Sequence, residues 1–128
     1  MKPLATETIY RNYIHHLNER RLDLSEFVHD KLSYNGEPMT RADYQNMIAK
    51  DIEAVPDLYF EINMLVVDDD QVACRINFNC TPRGEFMGFR PNGKKISFSE
   101  HVFYKLREGK IYEVLSLIDK PAIQSQMS

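Results

Sequence analysis

Hydrophobic positions in the first half of the chain recur at helical intervals. Ile9, Tyr10, Tyr13, Ile14 and Leu17 fall on one helical face, with Thr6 or Thr8 available as N-cap. The period returns in "TRADYQNMIAKDIEAVP". There Thr40 can cap, Asp43 suits the first turn, Tyr44, Met47, Ile48 and Ile52 form a stripe, and Pro56 marks the stop. Between the two, "RRLDLSEFVHDKLSYNGEP" predicts a short helix near Leu22 to Phe27, then a strand or loop, then a turn at Asn35-Gly36.

The second half alternates with a period of two. "LYFEINMLVV" places Leu58, Phe60, Ile62, Met64 and Val66 on one side. "DDDQ" makes a turn, and "VACRINFNCT" aligns Val72, Cys74, Ile76, Phe78 and Cys80. "RGEFMGFRPNGKK" is a longer connection, followed by "ISFSEHVFYKL", a tight turn at "REGK" and "IYEVLSLID". Short loops between long strands predict an antiparallel meander. Helices first and strands after predict an α+β fold with the helices on one face of the sheet. No repeat or linker divides the chain, so residues 1–128 are expected to form a single domain.

One residue breaks the alternation. In "ISFSEHVFYKL", Ile96, Phe98, Val102, Tyr104 and Leu106 share a face, and Glu100 stands among them. On the last strand, Tyr112, Val114, Ser116 and Ile118 share a face. Joining the two sets gives an apolar wall with one carboxylate, one serine and two tyrosine hydroxyls, the composition of a ligand pocket. Desolvation raises the pKa of such a carboxyl, which can then act as general acid or base near neutrality. A salt bridge to Arg75 or a lysine, or a β-bulge turning Glu100 to water, is the competing expectation.

Other signals are weaker. The formal net charge of −3 argues against nucleic acid. No apolar run approaches the ~20 residues of a membrane span, and "MKPLATETIYRNY" lacks a signal-peptide core; a cytoplasmic location is expected. Cys74 and Cys80 share one strand at a separation of roughly 20 Å, too far for a disulfide, and read as buried thiols. "GFRPNGKK" nearly spells a phosphate-binding loop, but Lys95 replaces the hydroxyl residue and a strand follows instead of a helix. His15 and His16 diverge by about 100° on their helix, and neither His29 nor His101 has metal-ligand spacing around it. No metal or cofactor is expected. Arg75, Asn77, Asn79 and Thr81 form a polar row that is either a solvated or subunit-contact face or a polar part of the cavity.

From Pro56 onward the chain resembles the SnoaL-like polyketide cyclase and ester cyclase group of the nuclear-transport-factor-2-like superfamily. "AVPDLYFEINMLVVDDDQVACRINFNCTPRGEFMGFRPNGKKISF" and "FYKLREGKIYEVLSLIDKPAIQSQM" carry the likeness, and "NGEP" before the second clear helix extends it. The resemblance implies a cone-shaped, strongly curved antiparallel sheet packed on about three N-terminal helices, the cystatin-like arrangement. It also implies a terminal helix, a pocket at the wide end and a homodimer through the outer sheet face. The group's Asp and His positions fall on Ser116 and Val102, neither of which transfers a proton. Asn35 sits where relatives present a pocket Asn or His, and Asp119 matches the Asp that closes the group's last strand.

The candidate catalytic residue is therefore Glu100. The candidate pocket residues are Phe98, Val102, Tyr104, Tyr112 and Ser116, with Asn35, Asp119, His101 and Tyr13 around them. Three functions stay open: cofactor-free cyclase- or isomerase-type proton transfer on an apolar or polyketide-like molecule, a non-catalytic carrier or sensor of such a molecule, and an interaction module with a collapsed pocket.

Overall fold

The computed structural model describes residues 4–128. The elements run α1 (Thr6–Asn18), β1 (Val28–Tyr34), β2 (Glu37–Thr40), α2 (Arg41–Ala54), β3 (Glu61–Asp68), β4 (Gln71–Cys80), β5 (Ile96–Arg107), β6 (Lys110–Ile118) and α3 (Lys120–Met127). This is the expected α+β fold. Two helices lie in the N-terminal half, and the third closes the chain.

The predicted helix at Leu22 to Phe27 is a single turn instead. The Leu24 carbonyl accepts from both Phe27 N and Val28 N, and Asp23 accepts from Ser25 N. The backbone then extends into β1, because its N–H and C=O groups pair with distant strands. Thr40 caps α2 by accepting from Asp43 N, as the sequence suggests. The expected cap of α1 differs: Thr6 is already helical, and Ala5 at the cap position offers no side-chain acceptor.

The six strands form one sheet in the order β2-β1-β6-β5-β4-β3. Neighbours are antiparallel except β1 and β6, which run parallel. β3 to β6 form the expected meander. The turn at Glu108-Gly109 has positive φ at both residues (53° and 76°), the conformation that lets a two-residue hairpin follow the strand twist. The register shifts at Ile62/Met64, at Lys105/Leu106 and along β1, and such bulges bend a sheet.

Two bulges invert expectations. Past the first, Met64 and Val66 lie on the outer face, 60% and 57% exposed, instead of following Ile62 inward. At the second, Tyr112 is the extra residue on β6, between Ile111 opposite Leu106 and Glu113 opposite Lys105. Ile111 is buried, and parity resumes with Val114 pointing inward.

The core lies between the inner sheet face and α1 and α2, and includes Tyr10, Tyr13, Leu17, Ile76, Val102 and Val114. Cys74 and Cys80 are free, buried thiols. Three amide side chains act as short strand partners. Asn18 clasps the backbone of Phe60, Asn35 that of Ser116 and Gln126 that of Ser97, each through one donated and one accepted hydrogen bond of 2.7–3.2 Å. These clasps satisfy backbone groups that the ladder leaves unpaired.

Candidate active site

A cavity of about 660 Å³ opens between the inner sheet face and the two N-terminal helices. Phe60, Phe78, Phe86, Phe98, Met47 and Met87 supply much of its apolar wall. Phe78 stacks on Phe98 at 4.9 Å between ring centres, and Phe86 leans on Phe98 at 5.7 Å. Phe86 and Met87 reach the cavity from the long connection after β4, where a Phe86–Phe89 bridge closes a turn at Met87-Gly88. A cavity of this volume is not the filled interior that a collapsed pocket requires.

Glu100 lies on this wall. β5 pairs with β4 in unbroken register from Ile96 to Lys105, so the alternation read from sequence holds there, and Glu100 sits between Ile76 and Ile118. The Ser116 hydroxyl donates to its Oε2. No cation pairs with it among the described residues. Burial raises its pKa, the Ser116 hydrogen bond opposes the rise, and the charge of Asp51 adds to it.

Ser116 is itself held in place. Its backbone N–H donates to Asn35 Oδ1 at 2.7 Å, and its carbonyl accepts from Asn35 Nδ2 at 3.2 Å. Asn35 sits in a left-handed turn (φ 50°), a conformation that asparagine tolerates. Its amide therefore fixes the residue that fixes Glu100.

Four tyrosine side chains line the same cavity. Tyr13 and Tyr44 join α1 to α2 through a 2.7 Å hydrogen bond between their hydroxyls. Tyr34 and Tyr104 line the same space. Burial, first of all, raises the pKa of each of these four phenols, so they stay neutral hydrogen-bonding groups.

Phe98, Tyr104, Ser116, Asn35 and Tyr13 thus meet Glu100 in one cavity. The remaining candidates do not. Tyr112 is displaced by the β6 bulge and stacks under the Arg107 guanidinium at 4.2 Å. His101, next to Glu100 in sequence, points to the outer face, where its Nε2 accepts from Arg75 Nε at 3.2 Å. Val102 faces inward but is packed into the core, away from the cavity surface. Asp119 is exposed and caps α3 by accepting from Ala122 N at 3.1 Å. The polar row of β4 faces outward too: Asn77 and Asn79 accept from Ser99 and Ser97, and Arg75 donates to Asn63.

Asp51 is a cavity residue that was not among those expected from the sequence. It projects into the cavity from α2, and burial alone raises its pKa to about 6. The signal was present, since Tyr44, Met47, Ile48 and Asp51 follow helical spacing as closely as the stripe ending at Ile52. Lys120, the first residue of α3, is exposed at the cavity's edge. Among the described residues, no cluster of His, Cys, Asp and Glu could hold a metal ion, and no helix is long and apolar enough to cross a membrane.

The fold has close counterparts. The model of the SnoaL-like polyketide cyclase family matches residues 7–127. A SnoaL-like polyketide cyclase from Agrobacterium tumefaciens is 39% identical with a TM-score of 0.92, covering 98% of this chain and 100% of that one. TsrD from Streptomyces laurentii is 16% identical with a TM-score of 0.88, covering 100% and 98%. AclR, a candidate hydroxylase from Streptomyces galilaeus, is 22% identical with a TM-score of 0.80, covering 95% and 94%. At those two identities the likeness is one of fold alone. Comparison with curated proteins gave no match. With the family model spanning nearly all of the chain and a 39% identical relative aligned end to end, the chain belongs to the SnoaL-like polyketide cyclase family.

Proposed function

We propose that the cavity binds a small apolar, polyketide-like carbonyl compound and that Glu100 moves a proton on it, in cyclase- or isomerase-type chemistry that uses no cofactor. The observation that carries this reading is the Glu100 carboxylate on an apolar wall, oriented by Ser116 and paired with no cation among the described residues. A carboxylate so placed is costly to keep ionised and is poised to take up a proton. The neutral tyrosine hydroxyls can orient a carbonyl or hydroxyl of the bound molecule. Membership of the family supports the same class of reaction.

The test uses 2-tetralone, an apolar ketone with acidic α-protons, in D2O, with deuterium incorporation followed by NMR. The protein is expected to accelerate exchange over buffer, and Glu100→Gln to lose on the order of 10²-fold of that rate while still binding the ketone. Binding without exchange, or an undiminished rate in Glu100→Gln, favours a carrier and overturns the proton-transfer reading.

The same reading makes the protein a homodimer through the outer sheet face. Two outward-facing rows, one of them wholly apolar, support this. Val66, Ala73, Phe103 and Leu115 lie side by side across four strands, and Met64 and Leu117 flank Arg75 and His101 in the next row. Leu117 is 74% exposed, an apolar surface suited to a second copy. The two buried free thiols fit a reducing compartment, the cytoplasm.

A further inference from the structure

Asp51 has no role in the reading above, yet it occupies the same cavity. It comes from the helical wall, Glu100 from the sheet wall, and both line the same cavity. Their environments differ. Glu100 accepts a hydrogen bond that supports its ionised form. Asp51 has no hydrogen-bond donor or cation among the described residues, so nothing there favours its charge. Its carboxyl oxygens are not sealed off in the core, because the only fully buried side-chain polar atom without a partner among the described residues is the Tyr10 hydroxyl. The charge of either carboxylate disfavours charge on the other, so the pair ionises one group at a time, and the Ser116 hydrogen bond gives the charge to Glu100 and the proton to Asp51.

We infer that Asp51 is the acid that partners Glu100: Glu100 takes a proton from the carbon next to a bound carbonyl while Asp51 gives one to the carbonyl oxygen. The substrate class this implies is a neutral ketone or ester with an acidic C–H. The step balances without an oxidant or reductant. The C–H electron pair becomes the new carbon–carbon π bond, the carbonyl π pair moves to oxygen, and that oxygen takes the Asp51 proton. Glu100 ends protonated and Asp51 ionised. Return of the Glu100 proton to carbon, and of the enol proton to Asp51, resets both groups and leaves either an isomer or an exchanged substrate. The inference rests on the cavity being a proton-transfer site.

Burial lifts Asp51 to about 6, so a useful fraction stays protonated toward neutral pH. The other titratable groups lining the space are Glu100 and Tyr104 on β5, Tyr13 on α1, Tyr34 on β1, Tyr44 on α2 and Lys120 on α3. The tyrosines are held neutral by burial. Glu37, on the remaining strand against α2, is exposed to solvent.

The test is the 2-tetralone exchange assay on Asp51→Asn, a substitution of nearly the same shape. Exchange is expected to fall at least tenfold with ketone binding retained. In the unmodified protein the rate should decline as pH rises through about 6, where Asp51 ionises; in Asp51→Asn that decline should vanish. A wild-type rate in Asp51→Asn, alongside loss in Glu100→Gln, overturns the role of Asp51 and leaves Glu100 acting alone. A decline near pH 6 that persists in Asp51→Asn also overturns it. No exchange by the unmodified protein removes the proton-transfer reading itself, and the inference with it.

Discussion

Asn35 grips the peptide backbone of Ser116 from both sides, and Ser116 in turn donates its hydroxyl to Glu100. A surface turn at the end of β1 is thereby connected to a carboxylate inside the cavity. The connection crosses 81 positions of sequence between Asn35 and Ser116. In the proposed reaction Asn35 would be a positioning residue.

Asn35→Gly is the clean probe of that connection. Glycine tolerates the left-handed backbone, so the turn survives while the two amide hydrogen bonds are lost. The expected cost is about 1–2 kcal/mol of stability, from hydrogen bonds of roughly 1 kcal/mol each. A purely structural role would stop there. A positioning role also moves the Glu100 titration midpoint upward, because a loosened Ser116 supports the carboxylate less well. Chemical denaturation and carboxyl NMR measure the two effects separately.

Asp51 makes stability depend on pH. Its pKa is raised from 3.8 to about 6 by folding, so the folded chain binds more protons than the unfolded one between those values. The stability that this proton contributes is fully present below the unfolded pKa and is lost as pH rises through the folded one. Asp51→Asn should therefore be the more stable protein at pH 7, by about 1–2 kcal/mol once solvent contact through the cavity is allowed for. Its stability should also change less between pH 4 and 7. Urea denaturation of both proteins across that range checks the sign.

The outer sheet face yields a third expectation. Leu117 lies opposite His101 at the end of an exposed row. In the proposed dimer a charge placed there would meet the second copy, and the side chain it replaces is 74% exposed. The unmodified chain is expected to sediment as a dimer and Leu117→Asp as a monomer that unfolds at an unchanged urea concentration when dilute. Unchanged sedimentation would remove the outer face as the contact.

What the sequence disclosed depended on where strand alternation ran undisturbed. β5 pairs with β4 without a shift across the stretch that holds Glu100, so a period-two reading put that carboxylate on the inner face. The same reading failed at Met64, Val66 and Tyr112, each beyond or within a bulge. A bulge adds one residue and leaves no mark in hydrophobic pattern. β1 and β2 were hard to see for another reason. β1 is held by parallel pairing with β6, some eighty positions away, and its local sequence mixes His29, Asp30 and Lys31 with Val28 and Leu32. Asp51 escaped because Ile52 offered a more apolar end to the same helical stripe. A carboxylate at stripe spacing in α2 carried the same meaning as Glu100 among the apolar residues of β5.

An NMR titration of the Glu100 side chain, with Glu100→Gln assigning the signal, tests whether this carboxyl is desolvated on the apolar wall of the cavity. The expected midpoint lies clearly above the ~4.3 of a free glutamate and rises further in Ser116→Ala, where the hydrogen bond supporting the carboxylate is gone. A midpoint at or below that of free glutamate would contradict it, because a solvated or ion-paired Glu100 has no reason to exchange protons near neutral pH.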